Sequence, residues 1–530
     1  MGPQITDPPG RVYAVEELPG GRPILIYGSG SAGKALLLAL RLRRPDLAVA
    51  GFLDSFRPGR CCGLPVSRLA DLVDGGDAAS HLILIASMQY REISAALEAK
   101  GISDYRRMRI PPPFLAELAA ARHWRARLAA LARVLLRLPV RLLRRFLSPR
   151  FLCVGAYGGQ FNGNGKYFFL HLRAIHGRNV FWLCRDPSIR QELRRQGVNV
   201  LPARGWRFRW TALTSRFLVV DNRDWPTTHP FLTLLPFVKL QLWHGVGFKR
   251  IEKALLDPEL VSRMASWQRD WVDRRYPRYD LLASTSEFYA REVFAPAFDL
   301  SPARIVSCGY PLDDLFYRSE QDEDLIFTDG AVLERVRQHR AGGGQVIVYA
   351  PTFRDLDAGV RFDEAFDLPS FHSFLEEHGL LLVVKAHSLP GLRRQGAPPF
   401  SSIVVHDPIR DVYPILKRAD LLVTDYSSIY SDFLHTGRPI VFFPYDFDDY
   451  AQLHRQLQFD YDAWTPGPKA KNQSELERWI AAFLVRGEDD FAEERNRFFA
   501  LAFAHHDGQS APRLYRHLGS CYHIGQRRSH

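Results

Sequence analysis

The sequence is poor in cysteine and lacks any long apolar run, and each deficit excludes a class of protein. Six cysteines in 530 residues show no metal-ligand spacing, and the adjacent pair Cys61 and Cys62 suits neither a disulfide framework nor a zinc site. No apolar stretch reaches the ~18 residues of a membrane-spanning helix, and the N-terminus lacks the basic-then-apolar pattern of a signal peptide. We therefore expect a cytoplasmic protein whose membrane contact, if any, is peripheral.

Acidic residues are absent from one segment, although the whole chain carries 58 of them against 70 lysines and arginines. Between residues 121 and 150 there are nine arginines and no Asp or Glu. On a helical wheel Arg133, Arg137, Arg141 and Arg144 share one side, and the other side holds Leu128, Leu131, Leu135, Leu138, Leu142 and Phe146. This pattern is typical of a helix that lies in an anionic membrane surface. The alternative is an interdomain helix that packs on the protein and has a solvated basic face.

Length and composition predict a globular protein of several domains. The apolar fraction of 46% and the charged fraction of 24% are ordinary for folded proteins and exclude a largely disordered chain. At 530 residues the chain exceeds what one core supports. We predict an α/β protein with an accessory Rossmann-like domain (1–118), a basic helical linker (119–150) and two further Rossmann-type domains (151–318 and 319–530). The last of these ends in a C-terminal helix that could cross back onto another domain.

The accessory domain carries a glycine-rich turn between a strand and a helix. The strand 24–27 runs into Gly28, Gly30 and Gly33, which have dinucleotide-binding spacing, and Asp54 ends the next strand where a ribose-binding acid would lie. Such units also serve as scaffolds that bind a sugar nucleotide or nothing. A nucleotide at this site is therefore left open, and no other cofactor is expected.

Polar residues follow four predicted strands of the second and third domains, and this recurrence predicts one shared cleft. In LQLWHG, His244 ends an apolar run, and its pKa near 6.5 suits a general base, although a core histidine bonded to a backbone carbonyl is the alternative. In YAPTFRD, Thr352 and Arg354 follow a strand, and an arginine fork suits phosphate. In VVKAHS, Lys385 and His387 alternate along a strand and would face the same side.

The fourth strand end combines a buried strand, a hydroxyl-rich turn and a helix. The run LLVT is followed by Asp425, Ser427 and Ser428, which are suitable N-cap residues. A phosphate would suit this turn, because free N–H groups, a helix dipole and two hydroxyls would meet outside the carboxyl end of a strand. The nearby acidic run 446–449 could hold a divalent metal, but a solvated loop or a hydroxyl-binding patch is favoured, and no metal site is predicted.

Several of these motifs, in this order, resemble the CDP-glycerol glycerophosphotransferase family, which primes and polymerises teichoic acids and related capsule polymers. The resemblance covers roughly residues 151–518 and rests on FNGNGKY, WHGVGFKR, CGYPLDDLF, YAPTFRD, VVKAH, TDYSSIYSDF, RPIVFFPYDFDDY and a terminal DG. It implies a GT-B-like pair of Rossmann-type domains on the cytoplasmic face of the membrane. It also implies that an acceptor hydroxyl attacks the β-phosphorus of CDP-glycerol and releases CMP.

The resemblance assigns roles to individual residues. It implies that His244 deprotonates the acceptor, that Asp425 is a structural neighbour of the donor site, and that Arg354, His387, Ser427 and Ser428 hold the donor diphosphate. The complete candidate set comprises the catalytic residues His244 and His387 and the donor-binding residues Asn164, Gly309, Thr352, Arg354, Lys385, Asp425, Ser427 and Ser428. One departure concerns acceptor contacts, because the family's Gly-Thr-Pro reads Gly245-Val246-Gly247 here.

Two other functions compete with polyol-phosphate transfer. A conventional GT-B glycosyltransferase would take a sugar from a nucleotide sugar, and would release UDP or GDP in place of CMP. A nucleic-acid or lipid-binding protein would depend on the basic segment alone, but that segment has few aromatic residues for stacking on bases. The expected partners are a CDP-polyol donor, a lipid-linked glycan or polymer acceptor and an anionic membrane surface, without nucleic acid.

Overall fold

The computed structural model describes residues 11–55, 58–74, 78–87, 89–109, 111, 114–119, 123–352, 367–385, 400–445, 447 and 457–524. These residues form three sheets. The first contains β1 (Val12–Tyr13), β2 (Ile24–Tyr27), β3 (Val49–Leu53), β4 (Gly59–Cys61), β5 (Leu64–Ser67), β6 (Leu82–Ile85) and β7 (Tyr105–Met108). The second contains β8 (Phe151–Val154), β9 (Val180–Cys184), β10 (Val200–Pro202), β11 (Phe217–Val220), β12 (Val238–Gln241), β13 (Leu281–Ser284) and β14 (Ile305–Ser307). The third contains β15 (Gln345–Ala350), β16 (Leu380–Val384), β17 (Ile403–Val405), β18 (Leu421–Thr424) and β19 (Ile440–Phe442).

Helices connect these strands and cover the sheets. Those before the second sheet are Ser31–Arg43, Leu69–Asp74, Tyr90–Glu98, Phe114–Ala119 and His123–Arg145. Those among the strands of the second sheet are Gly163–His176, Pro187–Arg195, Trp206–Thr214, Trp225–Thr228, Pro258–Ser262, Ser266–Arg275 and Ala295–Phe298. The rest are Asp314–Tyr317, Gly330–Ala341, Leu368–Glu377, Tyr413–Leu416, Ile429–Phe433, Tyr461–Trp464, Gln473–Ile480, Ala492–Ala502 and Ser510–Tyr522.

The second and third sheets are parallel and doubly wound, as predicted. Their strand orders are β10-β9-β8-β11-β12-β13-β14 and β17-β16-β15-β18-β19, so the winding direction reverses between β8 and β11 and between β15 and β18. Open α/β sheets bind ligands beyond the carboxyl ends of the strands at such switch points. The topology therefore gives each sheet one expected ligand crevice.

The central strands are apolar because helices cover both of their faces. Four of the six residues of β15 are β-branched or aromatic, and all of β18 is buried. The two strands pair in parallel with Ile347 opposite Leu421. The polar ends of the predicted strands lie in the loops that follow them, because β12 ends at Gln241 and β16 at Val384. Candidate site residues thus sit on loops held by rigid strands.

The first sheet is parallel except for the antiparallel pair β4–β5. Its unit packs on the helices Pro258–Ser262 and Ser266–Arg275 of the second unit, and Leu260, Met264 and Val272 belong to its apolar core. At this junction the Arg275 guanidinium donates to Glu117 at 2.9 Å.

The C-terminal helix Ser510–Tyr522 crosses back to the second sheet. Its first N–H groups, at Ser510 and Ala511, donate to the Asp314 carboxylate at 2.7 and 2.9 Å. Leu514 and Leu518 are buried in the core that the second and third sheets share.

The helix His123–Arg145, called here the leucine helix, packs on the second unit through one side only. Val140 and Arg144 are buried, and the helix continues through Pro139. The opposite side carries the exposed leucines Leu131, Leu135, Leu138 and Leu142, with Phe146 beyond its end 85% exposed. None of the helices in the described ranges combines the length and hydrophobicity needed to cross a bilayer. The helix packs on the protein, as the interdomain alternative expected. It does so through the side that carries Arg144, however, and its leucines face solvent.

Candidate active site

In the second and third sheets, a buried aspartate beside the switch point accepts a backbone N–H. After β18, Asp425 accepts the Thr352 N–H at 2.7 Å, which ties the loop after β15 to the TDYSS turn. After β11, Asp221 accepts the Gly165 N–H at 3.0 Å, which ties this loop to the helix Gly163–His176. Burial raises the pKa of Asp221 to about 6. These two carboxylates therefore fix the loops that line the two crevices. The sequence had not predicted this role for either of them.

His244 lies in the loop after β12, on the side of the sheet where its strands end. Its Nδ1 is 2.9 Å from the Asp221 carbonyl oxygen, its side chain is exposed, and its ring lies 4.3 Å from that of Trp243. A carbonyl can only accept, so Nδ1 carries the proton, and in the neutral ring Nε2 holds the lone pair. The bond to a backbone carbonyl is the one that the core-histidine alternative expected, and the general-base role stays a prediction, because the neutral ring keeps a lone pair on Nε2.

The two halves of the cleft meet where the His244 loop touches the TDYSS turn. A Cβ at Gly245 would lie 2.6 Å from Ser428 Oγ, and Gly245 has φ +144°. The Ser431 hydroxyl donates to the Val246 carbonyl at 3.0 Å. Only a residue without a side chain fits this approach. The structure thus brings the loop that carries His244 against Ser428, and the sequence had placed both residues in one shared cleft.

The TDYSS turn differs from the predicted helix N-cap. The helix that follows, Ile429–Phe433, has five residues, and the Ser428 side chain makes no capping bond. Ser427 Oγ accepts the Ile429 N–H at 3.5 Å, which is a long hydrogen bond. A helix this short contributes little dipole field. Any anion binding here would therefore depend on hydroxyls, backbone N–H groups and nearby cations.

A cation lies at the next strand end of the third sheet. Lys385 follows β16, and burial lowers the pKa of its ammonium while Asp411 opposes the shift. Beside it, His406 follows β17 and is fully buried, and neither ring nitrogen has a hydrogen-bond partner among the described residues. Burial, with the Lys385 charge, lowers the pKa of His406 to about 4. The sequence analysis did not select His406 as a candidate, although His406, like His244, follows the end of a strand.

Part of the predicted donor site falls outside the described residues. Arg354 and His387 lie there, as do Asp446, Asp448 and Asp449 of the acidic run. Thr352 and Lys385 are the last described residues before the segments that contain Arg354 and His387. The donor-binding roles of these four residues stay predictions.

Asn164 and Gly309 make contacts within the protein. Asn164 is buried, donates to the Trp243 carbonyl at 3.0 Å and accepts the Leu312 N–H at 3.1 Å. Gly309 has φ +81°, and a Cβ there would lie 2.4 Å from Ser510 Oγ. These two bonds use one N–H of the Asn164 amide and one lone pair of its oxygen. These contacts indicate that both residues hold the loops around His244 and the C-terminal helix.

Lys166, in the same FNGNGKY motif, joins the two halves of the molecule. Its ammonium is fully buried and donates to the carbonyls of Asp324 and Ile326 and, at 2.6 Å, to Asp411. The Tyr167 hydroxyl donates to the same carboxylate at 2.9 Å. Within this motif the sequence had singled out Asn164 but not Lys166. A lysine among the apolar residues of this helix could have indicated a buried partner of opposite charge.

In the accessory unit the glycines and Asp54 come together as predicted, but Asp54 is engaged. Its carboxylate accepts the Ser29 hydroxyl at 2.6 Å and the Ser29 N–H at 3.3 Å. Gly28 has φ +98°, and a Cβ at Gly33 would lie 2.0 Å from the Gly28 carbonyl oxygen, so helix and strand pack closely here. Gly30 faces open space. Nucleotide binding at this loop stays a prediction.

Within the described ranges, no three His, Cys, Asp or Glu side chains are grouped so that they could hold a metal ion.

Comparison with known proteins places this cleft in a family context. The sequence profile described as CDP-Glycerol:Poly(glycerophosphate) glycerophosphotransferase matches residues 143–519. A teichoic acid glycerol-phosphate transferase of Staphylococcus aureus (strain NCTC 8325 / PS 47) is 30% identical over 369 residues, which covers 68% of this chain and 90% of the relative. A teichoic acid poly(glycerol phosphate) polymerase of Bacillus subtilis (strain 168) is 25% identical over 326 residues, which covers 60% of this chain and 42% of that polymerase.

A solved structure of the wall teichoic acid polymerase TagF superposes with a TM-score of 0.56 at 20% identity, and covers 76% of this chain and 97% of that one. At this identity the likeness concerns the fold, which confirms the predicted GT-B-like arrangement.

Proposed function

The chain belongs to the CDP-Glycerol:Poly(glycerophosphate) glycerophosphotransferase family, and we propose that it transfers a glycerol phosphate unit, or a related polyol phosphate, from CDP-glycerol to a hydroxyl of a glycan or polymer acceptor. The observation that carries the proposal is the contact between the His244 loop and the Ser428 turn. It supports a single cleft in which a base from one sheet faces an anion-binding turn of the other. The product would enter teichoic-acid-like or capsule polymer synthesis.

In the proposed reaction His244 activates the acceptor. Its Nε2 takes the proton of the acceptor hydroxyl while the oxygen bonds to the β-phosphorus of the donor. The bond from that phosphorus to the bridging oxygen breaks, and CMP leaves with the electron pair. Asp221 supports this role, because its carbonyl holds the proton on Nδ1 and so leaves the lone pair of the neutral ring on Nε2.

In this proposal the donor diphosphate binds against the third sheet. Ser427 and Ser428 offer hydroxyls, Lys385 offers a cation, and Arg354 and His387 are proposed to complete the charge neutralisation. Thr352 and Asp425 act on the shape of the crevice through their mutual hydrogen bond. Positioning and electrostatic stabilisation of this kind supply most of the rate enhancement in displacement at phosphorus.

The proposal includes attachment to the inner face of a membrane, where a lipid-linked acceptor would be found. The leucine helix supports it, because Leu131, Leu135, Leu138 and Leu142 are exposed on the side that faces away from the protein. Burying apolar side chains of this size in a bilayer interface is favourable, and the neighbouring arginines attract anionic lipids. Leu135→Ser with Leu138→Ser should weaken flotation with vesicles that contain phosphatidylglycerol, and unchanged flotation would contradict the attachment.

A donor screen that identifies the released nucleotide tests the transfer itself. The protein is incubated with CDP-glycerol, CDP-ribitol, UDP-sugars and GDP-sugars and a lipid-linked acceptor, and the nucleotide and the product length are measured. CMP release that depends on acceptor supports the proposal. UDP or GDP release without CMP would identify the competing GT-B glycosyltransferase and overturn it.

A further inference from the structure

A second exposed apolar surface lies beside the leucine helix. It is formed by the helix Trp206–Thr214, called here the tryptophan helix. Trp206 is 75% exposed and Trp210 is 53% exposed, and at positions i and i+4 they share one side of the helix. Phe208 of the same helix is buried in the core. Two exposed indoles on a helix anchored by its opposite side are not explained by folding, and the proposed reaction does not use them.

The charge around these indoles is of one sign. The arginines Arg204, Arg207 and Arg209 are exposed, and residues 197–216 contain no Asp or Glu. The leucine helix continues the pattern, because residues 121–150 are also free of acidic residues. A surface that combines indoles with arginines matches the interface of an anionic bilayer, where tryptophan rings lie at headgroup depth and arginines neutralise lipid phosphates.

One buried arginine fixes the two helices to each other. Arg144 of the leucine helix donates to the carbonyls of Ala212 and Leu213 at the end of the tryptophan helix, both at 2.9 Å, and to the Pro236 carbonyl at 2.8 Å. Arg150, just beyond the leucine helix, donates to the Thr214 hydroxyl at 2.9 Å. A cation at the C-terminal carbonyls of a helix is favourable for the helix dipole. The two apolar surfaces therefore belong to one rigid body.

We propose that Trp206 and Trp210 are a second membrane contact, which inserts into the headgroup region of an anionic bilayer together with the leucine helix. The inference rests on the membrane attachment in the proposed function and extends it. A single surface helix leaves the enzyme able to roll about the helix axis. A second contact, held to the first by Arg144, fixes the orientation of the protein, and with it the direction in which the His244 cleft opens toward a lipid-linked acceptor.

A nucleic acid is the other occupant that indoles and arginines would fit. The bilayer is favoured because the neighbouring surface presents Leu131, Leu135, Leu138 and Leu142. Aliphatic side chains offer no stacking platform for bases, but they are suited to the acyl boundary of a lipid interface.

Vesicle binding of matched variants tests the inference. Wild type, Trp206→Ser with Trp210→Ser, and the control Val485→Ser with Leu501→Ser, which changes exposed apolar residues of the third unit, are compared on vesicles of phosphatidylcholine with and without phosphatidylglycerol. The tryptophan variant should bind the anionic vesicles roughly tenfold more weakly than wild type, given the apolar area removed, and the control should bind as wild type does. Equal binding by wild type and the tryptophan variant would overturn the inference, as would tight binding of wild type to a single-stranded RNA oligonucleotide without vesicle binding.

A spectroscopic measurement locates the indoles directly. Brominated lipids in the vesicles should quench part of the wild-type tryptophan fluorescence, and Trp206→Phe with Trp210→Phe, which keeps an aromatic ring at both positions, should bind but lose most of that quenching. Undiminished quenching in the phenylalanine variant would contradict insertion of these two residues.

Activity assays separate failure of the inference from failure of the proposed function. Transfer from CDP-glycerol to a water-soluble acceptor should be unaffected in the serine variant, whereas transfer to an acceptor in vesicles should fall with binding. If wild type transfers nothing to either acceptor, the proposed function is wrong while the vesicle result stands. If Leu135→Ser with Leu138→Ser abolishes binding but the tryptophan variant has no effect, the leucine helix is the membrane contact and the inference is wrong.

Discussion

A carbonyl oxygen cannot donate a hydrogen bond, and at the scale of single residues this fact determines the chemistry available to His244. The contact with the Asp221 carbonyl fixes the proton on Nδ1. Asp221 is itself fixed, because its carboxylate accepts from the Gly165 N–H and from the Asn222 amide at 3.1 Å. The proposed base is therefore oriented by a backbone atom, so no substitution at Asp221 removes the contact directly.

The variant His244→Asn separates the position of this side chain from its basicity. The asparagine amide can still donate to the Asp221 carbonyl, but it has no basic nitrogen. We expect the rate of transfer to fall by about 10²–10⁴, the usual contribution of a positioned general base, while the affinity for CDP-glycerol is retained. Calorimetric titration of the donor and initial rates of CMP release measure the two effects.

His244→Ala is the companion variant, which loses both the base and the hydrogen bond. A rate near that of wild type in either variant would remove His244 from its proposed role.

At the scale of elements, the loop Trp243–Phe248 controls how closely the two sheets approach. Trp243 has φ +57° and Gly245 has φ +144°, so two nearby residues adopt conformations that ordinary side chains rarely occupy. The loop departs from the family's Gly-Thr-Pro pattern, yet it brings its backbone against Ser428. The two glycines of this loop differ, because a Cβ at Gly247 would lie 3.8 Å from Ser428 Cβ, which is an ordinary contact distance.

We predict that Gly245→Ala disrupts this contact and Gly247→Ala does not. The added methyl group would lie 2.6 Å from Ser428 Oγ, and its backbone conformation would be strained, at a cost on the order of 1–3 kcal/mol. The apparent affinity for CDP-glycerol and the catalytic rate should both fall in Gly245→Ala, as steady-state kinetics would detect. Ser428→Gly added to Gly245→Ala should relieve the clash and restore the thermal unfolding temperature in part. Equal behaviour of the two alanine variants would contradict the close approach.

At the scale of the whole molecule, a buried ion pair joins the second and third sheets. Lys166 and Asp411 are both inaccessible to solvent, and the lysine also satisfies two carbonyls of the segment that connects the halves. A charge left alone in such a place is costly, because burial removes its hydration. The pair thus makes the assembled cleft depend on both halves being in contact.

Lys166→Met should therefore destabilise the protein by about 3–5 kcal/mol, because Asp411 loses its cationic partner. Arg173→Met is the matched control on the same helix. Arg173 forms an ion pair at 2.7 Å with Glu323, whose side chain is 57% exposed, and pairs in contact with solvent contribute less than about 1 kcal/mol. Urea unfolding of the two variants measures the difference, and similar midpoints would contradict the role of the buried pair.

The strands and the candidate residues after them were predictable from local patterns. Buried parallel strands are continuous apolar runs, so Leu421–Thr424 and Gln345–Ala350 could be recognised, and a polar residue after such a run must lie at a sheet edge. His244, Thr352 and Ser428 were identified in this way. Asp221 and His406 follow strands in the same manner, but no neighbouring glycine or hydroxyl distinguished them from ordinary loop residues.

The sequence by itself determined the fold class, the positions of the strand ends and the amphipathic nature of the leucine helix, because these follow from the order of apolar and polar residues along a short segment. Tertiary structure decided which side of that helix faces solvent, which atom of Asp221 holds His244, and that Lys166 meets Asp411, 245 positions along the chain. These facts depend on contacts between residues far apart in sequence, and only the packing of the three sheets brings such residues together.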